Sequence, residues 1–177
     1  MPVTLRILLG ILLACWPLVV YFGHAWLGPW PLLIAGALLL AWRLPQARGI
    51  AVFCAVGLVG LGLLGHAELG VRAYPVAVNL IMLGVFGSSL LHGQPLVEQF
   101  ARLQEPDLPA AAVAYTRRVT QAWCLFFIVN GSLAAWTALY AELSTWALYN
   151  GVISYILIGI MFAGEWMLRH RLRQEAK

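Results

Sequence analysis

Charge is what this sequence lacks. Of its 177 residues 10% are Asp, Glu, Lys or Arg, where a soluble domain carries roughly 25%. No charged residue lies between Arg6 and Arg43, Arg48 and Glu68, Arg72 and Glu98, Arg118 and Glu142, or Glu142 and Glu165. Recognisable cofactor signatures are missing too: there is no P-loop, GxGxxG, CxxC or HExxH pattern. The four histidines are scattered, so neither a metal site nor a cofactor is expected. Cysteine is scarce and odd in number. Cys15, Cys54 and Cys124 each fall inside an uncharged run and read as small buried hydrophobes. A cleaved leader is not expected, because the region after Phe22 lacks a small-x-small site.

What is present is apolar: 62% of the chain is hydrophobic. A bilayer core of ~30 Å takes about 20 helical residues. Four of the five uncharged runs fit one crossing each. The first, residues 7–42, would run roughly 54 Å as one helix, and Gly28-Pro29-Trp30-Pro31 breaks it. Two helices joined by a tight turn follow. Backbone groups in lipid must bond internally, so only helices or closed barrels cross. Barrel strands alternate polar and apolar residues, and these runs do not. The reading is therefore an all-α integral membrane protein forming one domain over residues 1–177. Its six spans are about 5–24, 31–42, 49–65, 73–91, 120–140 and 146–168.

Lysine and arginine orient it. With the N-terminus in the cytoplasm, Arg6, Arg43, Arg48, Arg102, Arg117, Arg118, Arg169, Arg171, Arg173 and Lys177 are all cytoplasmic, and Arg72 alone faces out. That is the positive-inside pattern of a bacterial inner membrane, with both termini cytoplasmic. Trp26, Trp30, Trp136 and Trp146 fall near outer ends, and Trp42, Trp123 and Trp166 near inner ends, as interfacial indoles do. Small residues four or seven apart predict close helix packing at Ala51, Ala55 and Gly62, at Gly84 and Ser88, and at Gly159 and Ala163.

Polar groups inside spans are the first functional candidates, because unpaired they are costly in lipid. Asn79, Asn130, Asn150 (beside Tyr149) and Glu165 are those groups. The plain reading of the amides is interhelical hydrogen bonding, and of Glu165 a local pair with Arg169 four residues on. A proton-coupled role would need Glu165 to face the bundle, away from Arg169.

Residues 93–118 form the one sizeable polar stretch. Leu96, Val97, Phe100, Ala101 and Leu103 share a face opposite Glu98, Gln99 and Arg102. This predicts a cytoplasmic amphipathic helix in the interface between helices four and five, with Glu98 and Arg102 toward water. Pro106 ends it, and a second helix carries Tyr115, Arg117 and Arg118 into helix five. The arginine pair reads as an anchor against anionic headgroups or as a docking surface.

Gly93-Gln-Pro-Leu96, Leu108-Pro109, Arg118-Val-Thr120, Trp123, Phe126-Phe127, Asn130 and Thr145-Trp146 together resemble the second half of the intracellular septation protein A family. Arg72-Ala-Tyr-Pro75 sits where that family has a Lys-Pro pair. The order holds over about residues 70–165. Before that only the hydrophobic pattern matches, and the tail after Glu165 is more basic. The chain thus resembles a divergent branch of small bacterial multi-pass inner-membrane proteins. The resemblance implies an envelope role through protein partners and no catalytic residues.

The expectation is a non-enzymatic scaffold or modulator of cell-envelope synthesis or division. Its partners would be membrane lipids and other membrane proteins or further copies of itself, with no nucleic acid. The alternative is a small transporter or lipid-intermediate translocator using Asn79, Asn130 and Glu165.

Overall fold

The structure, a computed structural model, describes residues 15–43, 48–103 and 105–175, and the side chains of all but 41–43 and 170–175. The start of the first predicted span, Arg6 and Lys177 lie outside those residues. Among the described residues the chain is helical, with no strand. Helix α1 is Trp16–Leu27, α2 Pro29–Arg43, α3 Arg48–Leu61, α4 Ala67–Arg72, α5 Tyr74–Leu91, α6 Leu96–Arg102, α7 Ala110–Tyr140, α8 Leu143–Leu148 and α9 Ser154–Glu175. Single π-helical turns, Gly62–His66 and Tyr149–Ile153, link α3 to α4 and α8 to α9.

Among the described residues four helical stretches are long and apolar enough to cross a membrane: Arg48–Arg72, Tyr74–Leu91, Ala110–Tyr140 and Leu143–Arg169. Pro29–Leu40 is apolar but shorter. The first of the four is not straight. Gly65 has φ +88° inside its π turn, a left-handed conformation that favours glycine. A Cβ on Gly84 would lie 2.6 Å from Ile50, and one on Gly70 2.9 Å from the Leu58 carbonyl. Both contacts pair α3 with the chain beyond the turn, so the chain reverses at Gly65. Residues 48–64 then form one arm of about 26 Å, and 67–91 the returning one.

The returning arm is broken at Ala73 for a covalent reason. Pro75 has no N–H to give Val71 and its ring crowds that carbonyl. The ladder resumes with Ala77 N–H donating to the Ala73 carbonyl at 3.1 Å. Gly28, at φ +69°, makes the other tight reversal, with Pro29 opening α2. Among the described residues six arms result, at 16–27, 29–43, 48–64, 67–91, 110–140 and 143–175, alternating in direction. Arg48, Arg102, Arg117, Arg118 and Arg169 collect at one end, the basic end. Arg72 stands at the other.

Two clusters hold the arms together. The larger is built on Trp16, Val20, Leu33, Leu40, Val71, Ile81 and Trp146. The smaller joins Val97, Trp123 and Phe127 to Phe86 and Ile158. The small-residue prediction holds on the third predicted span, where Ala51 and Ala55 are buried and Gly62 sits against Leu33, and at Gly84 against Ile50, but not at Ser88, which is exposed. It fails on α9: Gly159 meets open space and Ala163 is exposed. Trp26, Trp136 and Trp166 are exposed near arm ends as expected. Trp123 and Trp146 are instead buried in the bundle. The Trp146 indole N–H finds the Arg72 carbonyl at 3.0 Å, and a satisfied donor lets an indole enter a core. Outward faces carry Phe22, Phe53, Leu64 and Ile160, a surface that water does not suit and lipid does.

Candidate functional site

The amides singled out in the sequence come together. Asn79 on α5 and Asn130 on α7 meet where Gly131 brings the helices close: a Cβ there would lie 3.0 Å from that of Asn79. Asn130 Nδ2 donates to Asn79 Oδ1 at 3.1 Å, and Asn79 Nδ2 to the Pro75 carbonyl at 2.8 Å. That carbonyl lies one helical turn back on the same face, and its second lone pair takes the side-chain bond. The Tyr149 hydroxyl closes the chain on Asn130 Oδ1 at 2.9 Å.

Asn150 serves a parallel branch. Its Nδ2 donates to Thr137 Oγ1 at 3.1 Å and to the Trp146 carbonyl at 2.9 Å. Ser154 Oγ returns to the Asn150 carbonyl at 2.9 Å. All three asparagines are under 10% exposed. Each amide has its partners, as burial in an apolar bundle requires.

These residues form one end of a lateral groove of about 620 Å³. Its walls are α5, α7 and α9, through Met82, Phe86, Trp123, Phe127, Ile158 and Phe162. The groove exists because the last arm leaves the bundle. Trp146, Ala147, Asn150 and Ser154 are buried, but beyond Ser154 no described residue of α9 is. The π turn at Tyr149–Ile153 marks the departure, a place where such turns often occur. Trp123 and Phe162 bridge the gap, ring centres 4.8 Å apart.

At the basic end the groove is bounded by Glu165 and Arg169, with Val97 and Phe100 of α6. Arg169 Nη2 donates to Glu165 Oε1 at 2.7 Å. Glu165 therefore lines the groove while paired with Arg169, so the geometry a proton-coupled role required is not present. Tyr115 lies beside the pair, its hydroxyl donating to the Glu165 carbonyl at 3.2 Å. Burial first, and then the Glu165 charge, raise the Tyr115 phenol above its ordinary value, with Arg169 opposing. Tyr115 is thus a neutral hydrogen-bond donor.

The remaining candidates stand apart from this groove, and one contradicts the sequence reading. Glu98 does not face water: it is 4% exposed, while Phe100 and Leu103 on the supposedly apolar side are 59% and 81% exposed. The helix lays its Val97–Glu98 edge on the bundle, where Val97 joins Trp123 and Phe127. Glu98 is compensated by Arg102 Nε at 2.8 Å, and Arg102 Nη1 reaches the Pro106 carbonyl at 2.8 Å. Ser89 Oγ accepts from Leu96 N–H at 2.9 Å and pins the start of α6 to α5. Arg117 reaches the Leu90 carbonyl at 3.4 Å, and Arg117 and Arg118 are both exposed.

The sequence reading missed Arg72, which has a structural task. Its Nη2 donates to the Thr137 carbonyl at 3.0 Å and also to that of Ala141. Thr137 lies in the last turn of α7 and Ala141 caps it, where a cation also meets the negative end of the helix dipole. Thr137 and Ser154 were missed too, although spacing marks them: Thr137 follows Asn130 by seven and Ser154 follows Asn150 by four, one face in each case. No family model, curated protein or solved structure matches this chain.

Proposed function

We propose that this chain is a six-span protein of a bacterial inner membrane, both termini cytoplasmic, that holds a lipid or lipid-linked molecule in the groove between α5, α7 and α9. It serves envelope synthesis or division without catalysis. The observation that carries this reading is the groove itself: about 620 Å³, aromatic and aliphatic along its walls, open toward lipid, with one ion pair at its basic end. Small-molecule sites take this form, a mostly apolar cavity of ~300–1,000 Å³ with few placed polar groups. The ten-to-one arginine and lysine bias supports the orientation. The resemblance to the septation family supports the envelope setting.

Native mass spectrometry of the detergent-purified chain tests it. One lipid should stay bound. Met82→Trp, which drives an indole into the groove, should expel it, whereas Ile160→Trp, at an exposed position outside the lining, should not. A lipid-free wild type, or retention indifferent to Met82→Trp, overturns the reading.

Exposed Arg117 and Arg118 favour a second reading, in which segment 93–118 binds an acidic protein partner as a scaffold. Site-specific crosslinking from position 118 in cells, yielding one discrete salt-sensitive adduct, would favour it.

A further inference from the structure

The groove has two unlike ends, and this inference rests on its being a lipid site. One end stops at amides whose hydrogen bonds are already made within the bundle: Asn130 to Asn79, and Asn150 to Thr137. It carries no charge. The other end carries a full positive and a full negative charge. Between Ser154 and Glu165, α9 rises about 17 Å, close to the ~15 Å of one leaflet's hydrocarbon. The groove therefore fits a chain from the leaflet at the basic end, inserted tail first toward the amides.

The mouth then decides the head. Glu165 and Arg169 lie four residues apart on α9, and 15% and 36% of their side chains remain open. An anionic head would gain Arg169 but meet the Glu165 carboxylate at ion-pair range. A head with a quaternary amine would bring a cation with no N–H to give. A head with both a phosphate and a primary ammonium answers both charges. Its phosphate takes the guanidinium in a charge-assisted pair, and its ammonium donates to the carboxylate. The neutral Tyr115 hydroxyl stands beside them.

We propose that the groove selects a lipid whose head pairs a phosphate with a primary ammonium, read by Arg169 and Glu165 together. Wild type in detergent is titrated with phosphatidylethanolamine, phosphatidylglycerol and phosphatidylcholine of matched chains, with retained lipid read by native mass spectrometry. The ethanolamine lipid should be retained about tenfold over the other two, as expected for one hydrogen bond to a charged group. Glu165→Gln, near-isosteric, should raise glycerol-lipid retention and erase that preference. Arg169→Gln should weaken both. Each variant is first required to match the wild-type gel-filtration profile.

Equal retention of the three lipids by wild type, or an unchanged preference in Glu165→Gln, overturns the headgroup assignment. If a lipid still leaves on Met82→Trp in that case, the groove reading stands and only the head is wrong. Wild type that carries no lipid but pairs as a dimer through α9 overturns both, because the occupant is then a second copy.

Discussion

Asn130 donates to Asn79 at 3.1 Å while accepting from Tyr149 at 2.9 Å, so one amide ties three helical arms. Its substitution strands two neighbours at once: Asn79 loses the donor to Oδ1, and the Tyr149 hydroxyl loses its acceptor. Asn130→Leu should lower stability in detergent by about 1–2 kcal/mol, the scale of intramembrane hydrogen bonds. Reversible unfolding in mixed micelles measures it. A loss under a few tenths of a kcal/mol would mean that the neighbours find other partners.

Arg72 should matter through α7 rather than through topology. Its side chain serves the last carbonyls of that helix, and its own carbonyl holds the Trp146 indole. Arg72→Gln removes the cation and should cost about 1–2 kcal/mol. Hydrogen exchange should rise at Thr137–Ala141 and stay constant at Ala110–Thr120. Exchange rising evenly along α7 would argue against a local cap.

Two glycine substitutions should differ in sign. A Cβ on Gly131 would press to 3.0 Å from the Asn79 Cβ, whereas one on Gly159 meets nothing within 4 Å. Gly131→Ala must part α5 from α7 and should cost about 1–3 kcal/mol. Gly159→Ala gains helix propensity and should be neutral or stabilising by up to ~1 kcal/mol. Detergent melting temperatures in opposite order would refute the assigned contacts.

Orientation is checked by fusion. A reporter active only in the periplasm should be silent after Lys177 and active when inserted near Glu142. The ten-to-one cation bias is the basis. The reverse pattern would invert every assignment of ends in the proposed function.

The helical arms were legible because lipid leaves the backbone one economical solution, and so long uncharged runs carry the information. Gly28-Pro29 and Gly65 were legible as ends for the same reason. The polar residues were legible singly but not as a network. Asn79, Asn130 and Asn150 each announce a polar group in a span, yet which helices adjoin is decided by packing between segments far apart in sequence. The burial of Trp146 was not legible, because an indole near a span end usually faces the headgroups; here a backbone carbonyl 74 residues away satisfies it. The groove left no trace at all, because an apolar α9 reads alike whether it packs on the bundle or leans from it.

Glu98 gives the sharpest test of where sequence and structure part. Periodicity finds a polar edge on Leu96–Arg102 but does not say what that edge meets. If it met water, Glu98→Gln with Arg102→Gln would be silent. The structure instead buries Glu98 against the bundle with Arg102 as its partner. Removing the exposed partner of this pair costs more than removing both, because the buried Glu98 carboxylate is then stranded, whereas Arg102 left alone still reaches water. Arg102→Gln alone should therefore release α6 most, since it also gives up the Pro106 carbonyl. Glu98→Gln alone should do less, because Arg102 keeps that carbonyl and part of its solvent contact. The double variant should fall between them. Limited proteolysis at residues 103–109 reads the release: cleavage should be fastest in Arg102→Gln, intermediate in the double variant and slowest in wild type. Equal rates in all four proteins would put Glu98 in water, return α6 to a freely solvated edge, and leave Val97 as the residue that holds the segment to Trp123 and Phe127.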